Sequence, residues 1–376
     1  MTTPARALRI LMVDSERTWR GGQGQVLLLM RGLAELGQSV TLAAPPDGAL
    51  FARSAALPTG QLPWRGSSSV ASVLGLRALI APGNFDIVHS HASRAHGAVS
   101  AACIGLRGRP PHVVSRRVDF PVGRGPWGRW KYHRGADAYV AISNGVRDVL
   151  VRGGVAEEKI TVVPSGIDLE RLGRVKDAGY LRAEFNVKSG DRVLVNVAAL
   201  APHKAQSVLL DALKHLREHY SFRCFIVGDG SLRGALEAQA RSLQLDDVVT
   251  FTGFREDAFA FIRLANVFVM SSRLEGLGTS IMDAQVLGAP VVATRTGGIP
   301  ELVEDGVTGL LAEPGDAGSL SRAIARMLDD TELRESCRRR AQAQSARYDY
   351  HRTVYKTLDV YRRLCDVEPP LEGNSN

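Results

Sequence analysis

The feature that most restricts this chain is a rhythm. Short runs rich in Val, Ile and Leu alternate with stretches of helical period, and the alternation occurs twice in succession. In the first half the runs are RILMV, SVTLAA, FDIVHS, HVVS, DAYVAIS and ITVVP, with helical segments over 23–36, 70–80, 94–106 and 145–152. Such runs are apolar at successive positions rather than alternate ones, which suits strands covered on both faces in a parallel sheet. A charged, glycine-bearing connector follows over 164–191. The rhythm then resumes with RVLVNVAAL, FRCFIVG, VVTFTGF, NVFVMSS and PVVATR, helices are expected over 205–219, 232–243 and 279–287, and from 317 on the pattern is mainly helical. At 376 residues the chain is too long for one ordinary core. An α/β protein of two doubly wound domains, 1–168 and 169–349, is therefore expected, with a tail over 369–376 that reads as disordered. Ligands of such sheets bind outside the carboxyl ends of the strands, so the cleft between facing domains is the expected site.

Composition narrows the class. Apolar residues make up 45% and charged residues 23%, the balance of a soluble globular protein. No apolar run reaches the roughly 18–20 residues of a membrane span, and no signal peptide is read at the N-terminus, so a cytoplasmic location is expected. Cys103, Cys224, Cys337 and Cys365 are isolated, which argues for reduced thiols over disulfides or structural zinc. The net charge of +8 is concentrated: between Arg107 and Arg134 eight basic residues, Arg124 among them, face a single acid, Asp119. With Trp127, Trp130 and Tyr132 interleaved, this segment suits phospholipid headgroups, a phosphorylated acceptor or, least of all, nucleic acid, whose binding signatures are lacking. A solvated arginine-rich surface is the plain alternative.

Four motifs carry chemistry. In DSERTWRGGQGQ, Gly21 and Gly22 let backbone approach a ligand ahead of a helix N-terminus that favours an anion or a polar oxygen; the alternative is a tight strand-to-helix turn. The glycine spacing is not that of a dinucleotide fingerprint. DIVHSHASRAHG brings His89, His91 and His96 close in sequence, for substrate hydrogen bonding, packing or, without an acidic or thiol partner nearby, least plausibly a metal. In VAALAPHKAQS, Lys204 stands at a helix start, where the dipole offers a cation nothing, so a phosphate is the economical partner. SSRLEGLGTSIMDAQ places Glu275 in a glycine-bearing loop and Asp283 in the second turn of a helix, with Ile281, Met282 and Val286 expected inward. The N–H groups of Gly278, Thr279 and Ser280 lie between the two acids. Acids beside a phosphate-binding helix end suit hydroxyl-rich groups on either side of a diphosphate, a sugar and a ribose. Otherwise they are a loop acid and a capping or surface acid.

These pieces, with VAISNGVRD, VVPSGID, FIVGDG, ANVFVMSS and GGIPELVEDGVTGLL, occur in an order and spacing that resembles the group 1 (family 4) glycosyltransferases over nearly the whole chain. The resemblance implies a GT-B fold: two Rossmann-like domains facing across a cleft, the donor held mainly by the second, and a C-terminal helix over 350–368 crossing back to the first. It implies sugar transfer from a UDP-, GDP- or ADP-linked donor to a glycan or lipid-linked acceptor, with retention and without a metal or other cofactor. Lipopolysaccharide or another cell-envelope glycan is the implied setting, with peripheral contact at the cytoplasmic face of an anionic inner membrane.

Carried onto this chain, Glu275 meets the donor sugar and Asp283 the ribose. Lys204 with the Thr279 and Ser280 amides meets the diphosphate, Arg255 in the 253–257 loop borders the base, and Gly22 approaches the reacting phosphate. Gly21, His91 and Arg116 fall on the acceptor side. Four departures from the family pattern stand out: Asp283 where Glu is usual, Ala199 for the usual diphosphate Arg, Ser165-Gly166 for Asn-Gly, and Arg117 with Asp119 where many members place a histidine. Arg117 and Asp119 are expected to line the site and, with Glu275 and Lys204, to make up its catalytic residues. Two other readings share the architecture, a UDP-sugar 2-epimerase-like isomerase and a non-catalytic sugar-nucleotide-binding partner of a glycan-assembly complex.

Overall fold

The computed structural model describes residues 6–123, 125–175 and 178–367, so the tail expected over 369–376 and Arg124 lie outside the described residues. The chain forms two compact units. One takes the residues up to Gly166 together with those from Tyr350 onward, and the other spans Ile167–Asp349.

In the first unit seven described strands form one sheet: β1 (Arg9–Val13), β2 (Ser39–Ala44), β3 (Gly60–Pro63), β4 (Ile87–Ser90), β5 (His112–Arg116), β6 (Ala138–Ala141) and β7 (Ile160–Val162). Every pairing is parallel, and the order is β3-β2-β1-β4-β5-β6-β7. Ile10, Met12 and Val40 pack on one face with Val26, Met30 and Leu33 of the helix Gly21–Glu35. Leu11, Val13 and Val88 pack on the other with the helices Val70–Ile80 and Ser93–Ala102. Burial on both faces is what the unbroken apolar runs require. β3 (GQLP) is not foreshadowed because it holds no β-branched residue; at the sheet edge Pro63 costs no ladder bond.

The helix Tyr350–Leu364 completes this unit from the far end of the chain, placing Val354, Leu358 and Tyr361 in the core formed by β1, β2 and the helix Gly21–Glu35. It approaches so closely that a Cβ on Gly32 would lie 2.5 Å from Val354 Cγ2.

The second unit repeats the scheme with β8 (Arg192–Val197), β9 (Phe222–Val227), β10 (Val249–Gly253), β11 (Val267–Met270), β12 (Val291–Thr294) and β13 (Leu310–Ala312), in the order β10-β9-β8-β11-β12-β13. Leu209, Leu213 and Leu216 of the helix Gln206–Arg217 and Leu320, Ile324 and Met327 of the helix Ala317–Asp329 supply its core. β13 has three residues, too few to show a period. The connector holds two short helices, Leu169–Gly173 and Gly179–Glu184.

The fold is thus the expected pair of doubly wound parallel sheets. In each, the strand order reverses direction at one place, between β1 and β4 and between β8 and β11. The loops leaving those strands diverge there and open a crevice at the carboxyl edge.

Candidate active site

At the reversal in the second unit, the loop after β8 turns through a short helical segment, Pro202–Lys204, and Ala205, whose φ of 49° is left-handed. The loop after β11 carries Glu275. The two loops are tied by their backbones: the Arg273 and Leu274 N–H groups donate to the His203 carbonyl (2.8 and 3.3 Å), and Ser271 Oγ donates to the Lys204 carbonyl (3.0 Å). This lacing brings Lys204 Nζ onto the Glu275 carboxylate as an ion pair, with side chains 17% and 12% exposed. Ser272 Oγ donates to the same carboxylate at 3.3 Å, and the Gly298 N–H holds the Glu275 carbonyl at 3.0 Å. At Ala199 only a methyl group is present, and its carbonyl receives Gln206 Nε2 at 3.0 Å.

The helix Thr279–Leu287 begins three residues beyond Gly276 with no side-chain cap and no acid in its first turn. Gly278 enters it at a φ of 95°, a conformation that costs glycine little and other residues more. The amides of Thr279 and Ser280 therefore form an uncapped, positive helix end. Ile281 and Met282 are buried as expected, and Val286 is half-buried. Asp283 is half-buried, and its carboxyl makes no hydrogen bond or ion pair among the described residues. Removal from water pushes its carboxyl up to about 7, against a smaller downward pull from Arg171. Arg255 is already engaged. It bonds Glu184 (2.8 Å) and Asp257 (2.8 Å) and lies over the Phe261 ring at 5.3 Å, so it secures the 253–257 loop to the helix Gly179–Glu184.

In the first unit, Gly21 and Gly22 are the first two residues of the helix itself rather than a turn before it, and this end also lacks a side-chain cap. A Cβ on Gly22 would lie 3.9 Å from Arg117 Cδ. Arg117 is half-buried. Its Nη1 reaches Ser165 Oγ at 3.4 Å, and its Nε is buried without a partner. Burial lowers this guanidinium to about 10, while nearby Asp14 pulls it upward. Asp14 is wholly buried; it accepts from the Glu16 N–H (2.7 Å) and Gln23 Nε2 (3.3 Å), yet burial still raises its carboxyl. Asp119 follows on the same loop, half-buried.

His91 is 6% exposed, and both its ring nitrogens are buried without partners. Its ring lies 4.0 Å from that of His89. His89 is fixed at both ends, by Tyr361 Oη on Nδ1 (2.5 Å) and Ser115 Oγ on Nε2 (2.8 Å). Burial holds both imidazoles well below their usual range, and the Arg117 charge adds to that. His96 turns elsewhere, edge-on to Tyr132 at 5.0 Å and Tyr139 at 5.8 Å. Among the described residues no group of His, Cys, Asp and Glu side chains gathers into a metal site. Arg116 is 8% exposed and donates to Tyr132 Oη (2.6 Å) and the Phe120 carbonyl (2.5 Å), which makes it a buttress of its loop rather than an open cation.

Sequence reasoning thus named Lys204 and Glu275, which the fold pairs near the Thr279–Leu287 helix end, and, separately, Gly22 and Arg117, which the fold sets side by side. It missed Tyr361, 272 residues from the histidine it holds, for which no local signal exists. It also missed Asp14, although an acid closing the first strand was visible.

Comparison with known proteins agrees with this fold. The family described as Glycosyl transferases group 1 matches residues 179–344, and Glycosyltransferase Family 4 matches 19–171. D-inositol 3-phosphate glycosyltransferase of Saccharomonospora viridis is 30% identical over 332 residues, 81% of this chain and 76% of its own. The lipopolysaccharide core biosynthesis glycosyltransferase LpsE of Rhizobium meliloti is 30% identical over 221 residues, 59% of this chain and 61% of its own. Among solved structures, Anabaena HepE in complex with UDP and glucose superposes with a TM-score of 0.82 over 95% of this chain and 100% of its own, at 21% identity. With a match across each unit and a relative aligned over most of both chains, this protein belongs to the group 1, family 4 glycosyltransferases.

Proposed function

We propose that this glycosyltransferase moves a sugar, with retention of configuration, from a nucleotide-sugar donor to a glycan or lipid-linked acceptor of the cell envelope, lipopolysaccharide included. The observation that supports this most is the Lys204–Glu275 pair, laced between two loops at the strand-order reversal and adjoining an uncapped helix that carries Asp283. An ammonium has three N–H donors, so Lys204 can keep Glu275 and still meet a diphosphate. The Thr279 and Ser280 amides supply the rest of the positive field. Glu275 is left to accept hydrogen bonds from the donor sugar, and Asp283 from the ribose. Arg255 acts only by ordering its loop. On the acceptor side Gly21, Gly22, His91, Arg117 and Asp119 are assigned to orientation, with Arg116 as a support.

In this reading the bond from the sugar's anomeric carbon to the phosphate oxygen breaks as the acceptor oxygen bonds to that carbon from the same face. The acceptor's proton passes to the departing phosphate oxygen. Lys204 and the helix amides stabilise the charge that develops there, in a site that positions more than it reacts. The diphosphate charge is met by protein donors, so the reaction is assigned no metal, and chelator is expected to leave the rate unchanged.

No described helix is long and apolar enough to cross a membrane. The helix Pro126–His133 presents Trp127, 50% exposed and stacked on Trp130 at 4.9 Å, beside exposed Arg129 and Arg134. We assign it peripheral contact with anionic lipid at the cytoplasmic face.

Slow transfer to water tests the chemistry without a known acceptor. With UDP-glucose the first glucose released is expected as the α-anomer, and Lys204→Ala is expected to lower its kcat by roughly a hundredfold. Release of β-glucose sinks retention, and an unchanged kcat sinks the role of Lys204. UDP-, GDP- and ADP-linked donors compared side by side identify the base.

A further inference from the structure

Four arginines converge where no role has been assigned. Arg17 and Arg20 lie on the loop after β1, Arg65 on the loop after β3, and Arg94 in the first turn of the helix Ser93–Ala102 that follows β4. Together they line a pocket of about 320 Å³ within the first unit. All three segments leave carboxyl ends of parallel strands, where such sheets bind ligands. None of these residues belongs to the basic run of 107–134.

The charges do not cancel. Arg17 pairs with Asp47, and Arg94 reaches Glu16 at 3.5 Å. Arg20 and Arg65 have no ion pair among the described residues, and Glu16 is the single acid in the lining. The lining also holds Ser15, 3% exposed, whose Oγ is buried without a hydrogen-bond partner. A buried hydroxyl left unpartnered in a cationic pocket is a donor waiting for an acceptor oxygen. Gly66 brings the two loops together. At a φ of 66°, any Cβ on it would lie 2.9 Å from the Ser15 carbonyl, so a side chain there would push the loops apart. The pocket opens beside Arg20, the residue before Gly21 and Gly22.

We propose that this pocket binds a compact dianion, a phosphate ester carried by the acceptor, with Arg20 and Arg65 as its free cations and Ser15 Oγ as its buried donor. Two guanidinium forks and a hydroxyl match the oxygens of a phosphate better than those of a neutral sugar. Calling the ligand an acceptor rests on the glycosyl-transfer reading; the anion site itself does not.

The full chain is titrated calorimetrically with glucose 6-phosphate, glucose and, separately, UDP, as the natural protein and as R20Q/R65Q. Both arginine side chains are exposed and without an ion pair, so the substitutions should spare the fold, and R20K/R65K controls for charge alone. The sugar phosphate is expected to bind, glucose not to, and R20Q/R65Q to weaken the sugar phosphate at least about tenfold with UDP affinity held within about twofold. R20K/R65K is expected to fall between. Phosphatidic acid vesicles, tested by co-sedimentation, separate the sources: loss of their binding in R20Q/R65Q puts the phosphate on a lipid, while sugar-phosphate binding alone puts it on a soluble ligand. Equal affinity of R20Q/R65Q and the natural protein for both probes overturns the site, as does failure of the natural protein to bind either. If UDP fails to bind while the sugar phosphate still does, the donor reading falls and the pocket stands.

Discussion

Asp283 sits in the second turn of its helix, its side chain with neither a hydrogen bond nor a salt bridge among the described residues, and burial pushes its carboxyl up to about 7. In the unfolded chain the same group ionises near 3.8. Its folded pKa is therefore raised, so its contribution to stability is full below the unfolded value and is lost as pH rises through about 7. Asp283→Asn is expected to stabilise the free protein at pH 8 by on the order of 2 kcal/mol, discounted for partial exposure, and to change little at pH 4. Thermal melts across that range check it. Ribose hydroxyls prefer the ionised carboxylate, so donor binding should release a proton near neutrality, and affinity should fall as pH drops from 8 to 6. Titration calorimetry in buffers of differing ionisation enthalpy reads that proton directly. If Asp283→Ala leaves nucleotide affinity unchanged, the ribose assignment fails. At this scale the sequence was legible where one loop or one helix turn holds the whole signal, as in 275–283. It was silent where a role depends on distant partners. Arg255 looked free in its motif and is held by Glu184, 71 residues away.

Elements make their own predictions. The helix Gly21–Glu35 and the helix Tyr350–Leu364 touch through Gly32, where a Cβ would lie 2.5 Å from Val354 Cγ2. Gly32 has no left-handed φ, so substitution there tests packing alone. Gly32→Ala is expected to cost about 1–3 kcal/mol by overpacking, read as a lower midpoint in urea, and the smaller partner in Gly32→Ala/Val354→Ala should restore part of it. On the opposite side of the functional reading, W127A/R129E is expected to abolish co-sedimentation with phosphatidylglycerol vesicles while leaving UDP binding intact. Retained sedimentation would remove the membrane role of the helix Pro126–His133. Strands rich in β-branched residues were legible because burial on both faces forces that composition. β3 and the helix Ala49–Ser54 were not, since an edge strand and a single helical turn and a half carry too few residues for a period.

Taken whole, the chain repeats one strand order in two units, each with its reversal and its own loop cluster. The alternation in the sequence conveyed that architecture, whereas the four arginines of the first unit's pocket come from two loops and a helix start and meet only through the sheet. The second unit is contiguous, so a fragment of 167–349 is expected to unfold in one cooperative step and to retain UDP binding, while a fragment ending at 349 is expected to leave the first unit destabilised. Circular dichroism melts and calorimetry on the two fragments check both.

The helix Tyr350–Leu364 carries a last consequence. It covers Met30 and Leu33 and supplies the hydroxyl that fixes His89, yet it leaves the ribosome after everything else in the core it completes. During synthesis the contiguous second unit can close first, while the first unit's core must wait, only partly covered, until the helix Tyr350–Leu364 has been made. The unit begun before the second is thus finished after it, and a nascent chain stalled before Tyr350 would offer that incompletely covered core to chaperones.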